Sequence, residues 1–167
     1  MNLSPVFLMK FKNTIERILH VKGNYNGGIL EMAIVLDHSL PSACVQTVVP
    51  QLLRTLKLHS EVFRNVRLNM VDWCDNEAIT AKVSPMSMAG LSGYYEGYEQ
   101  QQRKKDFLKL VSYLKLFQAR AKVIILLTDA DYEIGTEESV KTAMQPFLDK
   151  KLMQVVVLGE SLEVRYR

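Results

Sequence analysis

Two short acidic motifs with hydroxyl neighbours are the residues of this sequence best suited to chemistry. Asp37 and Ser39 follow one apolar run, and Asp129 follows another that ends in Thr128. A carboxylate and a hydroxyl two residues apart after a strand point in roughly the same direction. A second carboxylate from a neighbouring strand would complete an oxygen-rich cluster. Oxygen ligands together with water are what Mg²⁺ accepts, so the pattern predicts a polar or metal-binding site at two strand ends.

The elements that must position these motifs predict an α/β fold. The runs 29–36 and 122–128 show no polar alternation, which favours strands covered on both faces, as in a parallel sheet. Helices are predicted over about 4–20, 43–60, 99–119 and from 135, further strands over 66–71, 78–83 and 153–158, and a long loop over 84–97. Strand and helix alternate, which predicts a three-layer Rossmann-like fold. Its mostly parallel central sheet has about five or six strands flanked by helices, with an extra N-terminal helix.

At the two acidic motifs the sequence resembles the von Willebrand factor A family. The first strand of that family ends in Asp-x-Ser-x-Ser, which Asp37 and Ser39 match, with Pro41 in place of the second serine. A later strand ends in Thr-Asp-Gly, which Thr128-Asp129 matches, with Ala130 in place of glycine. The resemblance covers about 31–160, and the family's usual last strand and helix are missing. It implies one domain over 1–167, with an N-terminal helix and loop at 1–28 and a core sheet at 29–160.

The resemblance also implies a metal-ion-dependent adhesion site. Such a site binds Mg²⁺ and offers an open coordination position to an acidic residue of a partner protein, so the implied function is non-catalytic protein binding. Asp37, Ser39 and Asp129 carry over as ligands. Ser42 stands one residue too late to replace the second serine. The family's threonine, expected in the loop before the long helix, has Ser92 and Ser87 as its nearest counterparts.

A glycine- and tyrosine-rich stretch precedes that long helix. Tyr94, Tyr95 and Tyr98 alternate with glycines near the predicted strand ends, where exposed tyrosines on a loop make a contact surface for a partner protein. The alternative is that these side chains fold back over the edge of the sheet. The sequence does not separate the two interpretations.

Three alternatives compete with the adhesion-site interpretation. Asp37 could cap the helix that follows it. Asp129 and Asp131 together resemble the Asp-x-Asp of haloacid-dehalogenase-like phosphatases, although Glu133 stands where that family has Thr or Val. A metal-free scaffold subunit of a larger complex is the third. His38 shows no acid–base partner in the sequence.

The composition is that of a globular protein, with 48% hydrophobic and 23% charged residues. A net charge of +3 is too small to indicate nucleic acid or a membrane as a partner. The two cysteines, Cys44 and Cys74, lack metal-ligand spacing and are expected to be buried thiols. Together with an N-terminus that does not resemble a signal peptide, they predict a cytoplasmic protein.

Overall fold

The computed structural model describes residues 4–21, 29–58, 65–74, 83–86, 97–101, 107–115, 121, 123–129, 137–149, 153–158 and 163–165. Its helices are α1 (Pro5–Val21), α2 (Ser42–Leu58), α3 (Phe107–Leu114) and α4 (Glu137–Asp149). Its strands are β1 (Ile29–Asp37), β2 (Asn65–Trp73), β3 (Val83–Met86), β4 (Val123–Thr128), β5 (Met153–Val157) and β6 (Glu163–Arg165). The α/β class predicted from the sequence is therefore confirmed.

The strands form one sheet in the order β3-β2-β1-β4-β5-β6. Strands β2, β1, β4 and β5 run parallel, whereas β3 and β6 pair antiparallel at the two edges. Pro85 lies in β3, where a residue without a backbone N–H is tolerated because an edge strand has one unpaired side. The central position of β1 and β4 brings the two acidic motifs onto neighbouring strands.

Side-chain alternation along the central strands divides the core into two layers. On β1, Met32, Ile34 and Leu36 pack with α1 and α2 on one face, whereas Ala33 and Val35 pack with α3 and α4 on the other. Strand β4 divides in the same way between odd and even positions. Strands covered on both faces need apolar residues at successive positions, which is why these runs show no polar alternation.

The leading helix is part of this core. The Ser4 hydroxyl accepts a hydrogen bond from the N–H of Phe7 at 3.2 Å, so Ser4 caps α1 as its sequence predicts. Phe11 and Ile15 are completely buried in the layer that also contains α2. The helix therefore covers one face of the sheet. Within the described residues, no helix is long and apolar enough to span a membrane.

Several predicted boundaries were wrong. The long helix does not begin at Glu99: residues 98–101 are not helical, and α3 is described over 107–114. Residues 84–86, assigned to a loop, belong to β3, while 78–82 lie outside the described residues. Strand β6 lies beyond residue 160 and was not predicted, because a three-residue edge strand leaves too short a pattern to detect. Strand β2, predicted over 66–71, is the second strand of the sheet, with β3 outside it.

Candidate functional site

Asp37 lies at the end of β1, opposite the end of β4. The register pairs Leu36 with Leu127, so the next residues, Asp37 and Thr128, stand side by side. Leu36 and Leu127 pack in the layer of α1 and α2, so by alternation Asp37 and Thr128 lie on the side of the sheet that carries α3 and α4. The Thr128 hydroxyl donates a hydrogen bond to Oδ2 of Asp37 at 2.5 Å, and both residues are completely buried. This contact joins the two predicted motifs, and Thr128 is a site residue that the sequence analysis did not single out.

The other oxygen of Asp37 organises the turn after β1. Oδ1 accepts hydrogen bonds from the backbone N–H of Ser39 at 2.9 Å and from the Ser39 hydroxyl at 2.8 Å. Helix α2 begins only at Ser42, and the N–H groups of Cys44 and Val45 bond to the carbonyl of Pro41. The carboxylate thus stabilises its own turn, as Asp side chains often do, and the helix-cap interpretation is wrong.

Asp129 follows Thr128 directly, one residue beyond the end of β4, and is partly buried. Its negative charge, although secondary to burial, raises the pKa of Cys44 and of Tyr98. The charge of Asp129 therefore acts on groups at the start of α2 and in the segment that contains Tyr98. Asp37 ends β1 and Asp129 directly follows the neighbouring strand β4, so both lie at the carboxyl end of the sheet. Ser42, the weaker ligand candidate, is the first residue of α2 and is partly buried.

A third carboxylate, Asp72, lies at the same carboxyl end of the sheet, near the end of β2. Its Oδ1 is 2.9 Å from Nε2 of His38, and the two side chains are 13% and 15% exposed. The expectation that His38 has no acid–base partner was therefore wrong. The pairing joins residues 34 positions apart, and only the parallel register of β1 and β2, which sets Leu36 beside Asp72, brings them together.

Tyr98 contacts the turn after β1. Its hydroxyl donates to the carbonyl of Leu40 at 2.6 Å, and its ring centroid lies 4.9 Å from that of His38. Burial raises the pKa of the phenol most, followed by the charge of Asp37, with smaller contributions from Cys44, Asp129 and Asp72. Of the three tyrosines predicted to bind a partner, only Tyr98 is described, and it is half-buried. Tyr94, Tyr95, Ser87, Ser92 and Asp131 lie outside the described residues.

Cys44 lies in the first turn of α2, close in sequence to the turn that follows β1. Cys44 is buried, and burial raises its pKa to about 11, opposed by the positive N-terminal charge and reinforced by Asp129. A thiol in this state stays protonated and unreactive at neutral pH. In the part of the chain that the structure describes, no group of three or more His, Cys, Asp or Glu side chains is arranged to hold a metal ion.

No protein-family model and no curated protein matches this sequence. Among solved structures, the chain is similar to the conserved hypothetical protein BatB from Bacteroides thetaiotaomicron, with a TM-score of 0.45 and 17% identity over 81% of this chain and 75% of that one. It is also similar to an aerotolerance-related membrane protein from Bacteroides fragilis NCTC 9343, solved with multiple mutations to serines. There the TM-score is 0.47 and the identity 12%, over 82% of this chain and 81% of that one. Neither a family nor a function follows from similarities this low.

Proposed function

We propose that this chain is a non-catalytic protein-interaction module of the von Willebrand factor A type, and that a partner protein binds the strand-end rim formed by Asp37, Ser39 and Asp129. One observation carries the proposal. Asp37 is completely buried between the hydroxyls of Ser39 and Thr128, at the carboxyl ends of the strands, where Asp72 lies near the end of β2 and Asp129 directly follows β4. Polar groups at the carboxyl ends of parallel strands mark the usual ligand position of such sheets.

The electrostatics of the rim favour a positively charged contact. The carboxylates of Asp37, Asp72 and Asp129 all act on the phenol of Tyr98, so their fields overlap in one region. A rim of this charge attracts a basic side chain of a partner, or a divalent cation that in turn binds an acidic residue of the partner. The second arrangement is the one that the family resemblance implies.

A hydrated Mg²⁺ is compatible with the oxygen donors at the rim. The Ser39 hydroxyl would bind the ion and Asp129 would act through water, because Mg²⁺ keeps several waters in most protein sites, whereas the completely buried Asp37 would hold the Ser39 hydroxyl in place. Pro41 provides no side-chain oxygen where the family has its second serine. The Ser39 hydroxyl can offer an oxygen lone pair to an ion while it continues to donate to Asp37. The missing second serine and the burial of Asp37 support weak, roughly millimolar binding rather than tight binding.

The hydrogen bonding around Ser39 supports binding rather than catalysis. A serine nucleophile needs a general base positioned to take its proton. Here the Ser39 hydroxyl donates to a carboxylate that also accepts from Thr128, and the His38 imidazole bonds to Asp72. The phosphatase alternative depends on Asp131, which lies outside the described residues, and stays a prediction.

Affinity capture with the whole chain as bait tests the proposal. We expect the wild-type chain to retain a specific protein from its source cells, and the variants Ser39→Ala and Asp129→Asn to lose it. Glu16→Gln is the matched control, since it also removes one carboxylate but lies on α1, where Glu16 pairs with Lys12 at 3.8 Å. Equal capture by all four proteins would contradict the proposed rim.

The metal-free scaffold is the second candidate, and one observation favours it. Protein groups alone provide three hydrogen bonds to the buried Asp37 carboxylate, so the turn has donors in place without a cation. Repeating the capture in the presence of a chelator separates the candidates. Retention that persists in chelator but is lost in Asp129→Asn indicates a metal-free contact at the same rim. Retention that the chelator abolishes indicates the ion-dependent form.

A further inference from the structure

The turn after β1 is held by a segment about 60 residues further along the chain. We call residues 37–40 the turn and residues 98–101 the strap. Each backbone carbonyl of the turn accepts a hydrogen bond from the strap. The Tyr98 hydroxyl reaches the carbonyls of Leu40 at 2.6 Å and of Asp37 at 3.4 Å, the Gln100 amide reaches that of Ser39 at 3.0 Å, and the N–H of Gln101 reaches that of His38 at 2.6 Å.

This arrangement is unusual for a surface turn, whose carbonyls can bond to water at little cost. Here four consecutive carbonyls have protein donors from one short segment. The Tyr98 ring adds a contact with His38 and packs against the core layer that contains α1 and α2. The strap is thus anchored in the core at one residue, while its polar groups fix the turn.

The side chain of Asp37 is held independently of the strap. Its Oδ1 accepts hydrogen bonds from Ser39, in the turn that follows β1, and its Oδ2 accepts one from Thr128, at the end of β4. Loss of the strap contacts would therefore leave the Asp37 carboxylate buried. It would free the backbone carbonyls of Ser39 and Leu40, so that the backbone of the turn could move while the Ser39 N–H and hydroxyl stay bonded to Asp37.

We propose that the strap is a positioning device for the rim: through Tyr98 and Gln100 it holds the turn in the single conformation that presents Ser39 to a partner protein. This inference rests on the proposed function and deepens it. Tyr98 and Gln100 are positioning residues that act through the backbone carbonyls of Leu40 and Ser39.

Hydrogen exchange of the free protein tests the structural half of the proposal. Tyr98→Phe keeps the ring and removes the hydroxyl. We expect the amides of Leu40 and Gln101, which bond to the carbonyls of Asp37 and His38, to exchange about tenfold faster, as the loss of one or two hydrogen bonds implies. The amides of Val35 and Ile125, in the centre of the sheet, should exchange at the wild-type rate. A purely structural role of Tyr98 in the core would instead accelerate both groups together.

Two further variants make this measurement decisive. Gln100→Ala should accelerate exchange at the turn without touching the Tyr98 ring. Glu99→Gln alters the strap residue between them, whose exposed side chain takes no part in these bonds, and should match the wild type. Unchanged exchange at Leu40 and Gln101 in both Tyr98→Phe and Gln100→Ala would overturn the proposal, as would uniform acceleration across the sheet.

Binding measurements distinguish a failure of this positioning proposal from a failure of the proposed function. For the protein captured by the wild-type chain, Tyr98→Phe should weaken affinity about tenfold, whereas Glu99→Gln should leave it unchanged. If Asp129→Asn abolishes capture and Tyr98→Phe does not weaken it, the strap has no positioning role in binding. If Asp129→Asn itself leaves capture intact, the proposed function fails and the binding half of this inference fails with it. The exchange result then applies to the turn alone.

Discussion

The hydroxyl of Thr128 donates to Oδ2 of Asp37 at 2.5 Å, across the junction between β4 and β1. Both residues are completely buried, so neither group can exchange this bond for one with water. A hydrogen bond to a charged group contributes more than one between neutral groups. This contact therefore stabilises the rim and fixes the relative position of two motifs about 90 residues apart in the chain.

Replacing Thr128 with valine is expected to lower the free energy of unfolding. Valine keeps the branched shape but has no hydroxyl, so a buried carboxylate oxygen loses its donor, at a cost of about 1.5–3 kcal/mol. Thr128→Ser keeps the hydroxyl and should cost less. Urea unfolding of both variants measures the difference. Equal stability of Thr128→Val and the wild type would show that this bond contributes nothing.

Mg²⁺ should stabilise the folded protein slightly, and only at millimolar concentration. At an ion concentration twice the dissociation constant, binding adds about 0.6 kcal/mol, which raises the melting temperature of a domain this size by about 1–3 °C. Ser39→Ala and Asp129→Asn should abolish the rise, and Glu16→Gln should keep it. A wild-type melting temperature that is independent of Mg²⁺ and Mn²⁺ would favour the metal-free scaffold.

Cys44 should resist thiol reagents in the folded protein. Its pKa is raised to about 11, so only ~0.1% of the group is thiolate at about pH 8, compared with roughly a quarter of an ordinary cysteine thiol. Burial also hinders access of the reagent. Mass spectrometry after timed labelling of native and urea-unfolded protein gives the two rates at Cys44. Labelling in the native state as fast as in urea would refute the assignment.

Alkaline pH should destabilise the protein partly through Tyr98. The folded state raises the pKa of this phenol above 10.0, mainly by burial and then by the charge of Asp37. The resulting stabilisation is complete below about pH 10 and is lost as the pH rises towards the folded-state pKa, because the unfolded chain releases the proton first. Unfolding free energy between about pH 9 and 11 should fall more steeply for the wild type than for Tyr98→Phe. Parallel curves would contradict this.

The contact between His38 and Asp72 should show measurable coupling. The two side chains are less exposed than a surface ion pair, and their atoms lie 2.9 Å apart. A double-mutant cycle with His38→Gln and Asp72→Asn at about pH 7 should give roughly 0.5–1.5 kcal/mol of interaction energy. Glu16→Gln with Lys12→Gln, a longer and more exposed pair, is the comparison and should give less. A coupling near zero for His38 and Asp72 would mean that the pair forms without stabilising the fold.

Local signals in the sequence determined the central strands, the helices and the presence of the acidic motifs. The apolar runs before Asp37 and Asp129 predicted β1 and β4, because only strands buried on both faces lack polar alternation. Ser4 and Pro5 predicted the start of α1. Element boundaries failed where the pattern was short or irregular, as at β3, at β6 and before α3, since a few residues carry too little periodicity to decide.

Tertiary structure alone decided what each rim residue contacts. The bond from Thr128 to Asp37, the pairing of His38 with Asp72 and the strap across the turn all join positions more than 30 residues apart. Such contacts depend on which strands become neighbours and in which register. The packing of the whole sheet between its helices sets the strand order and the register, and no short stretch of the sequence determines them by itself.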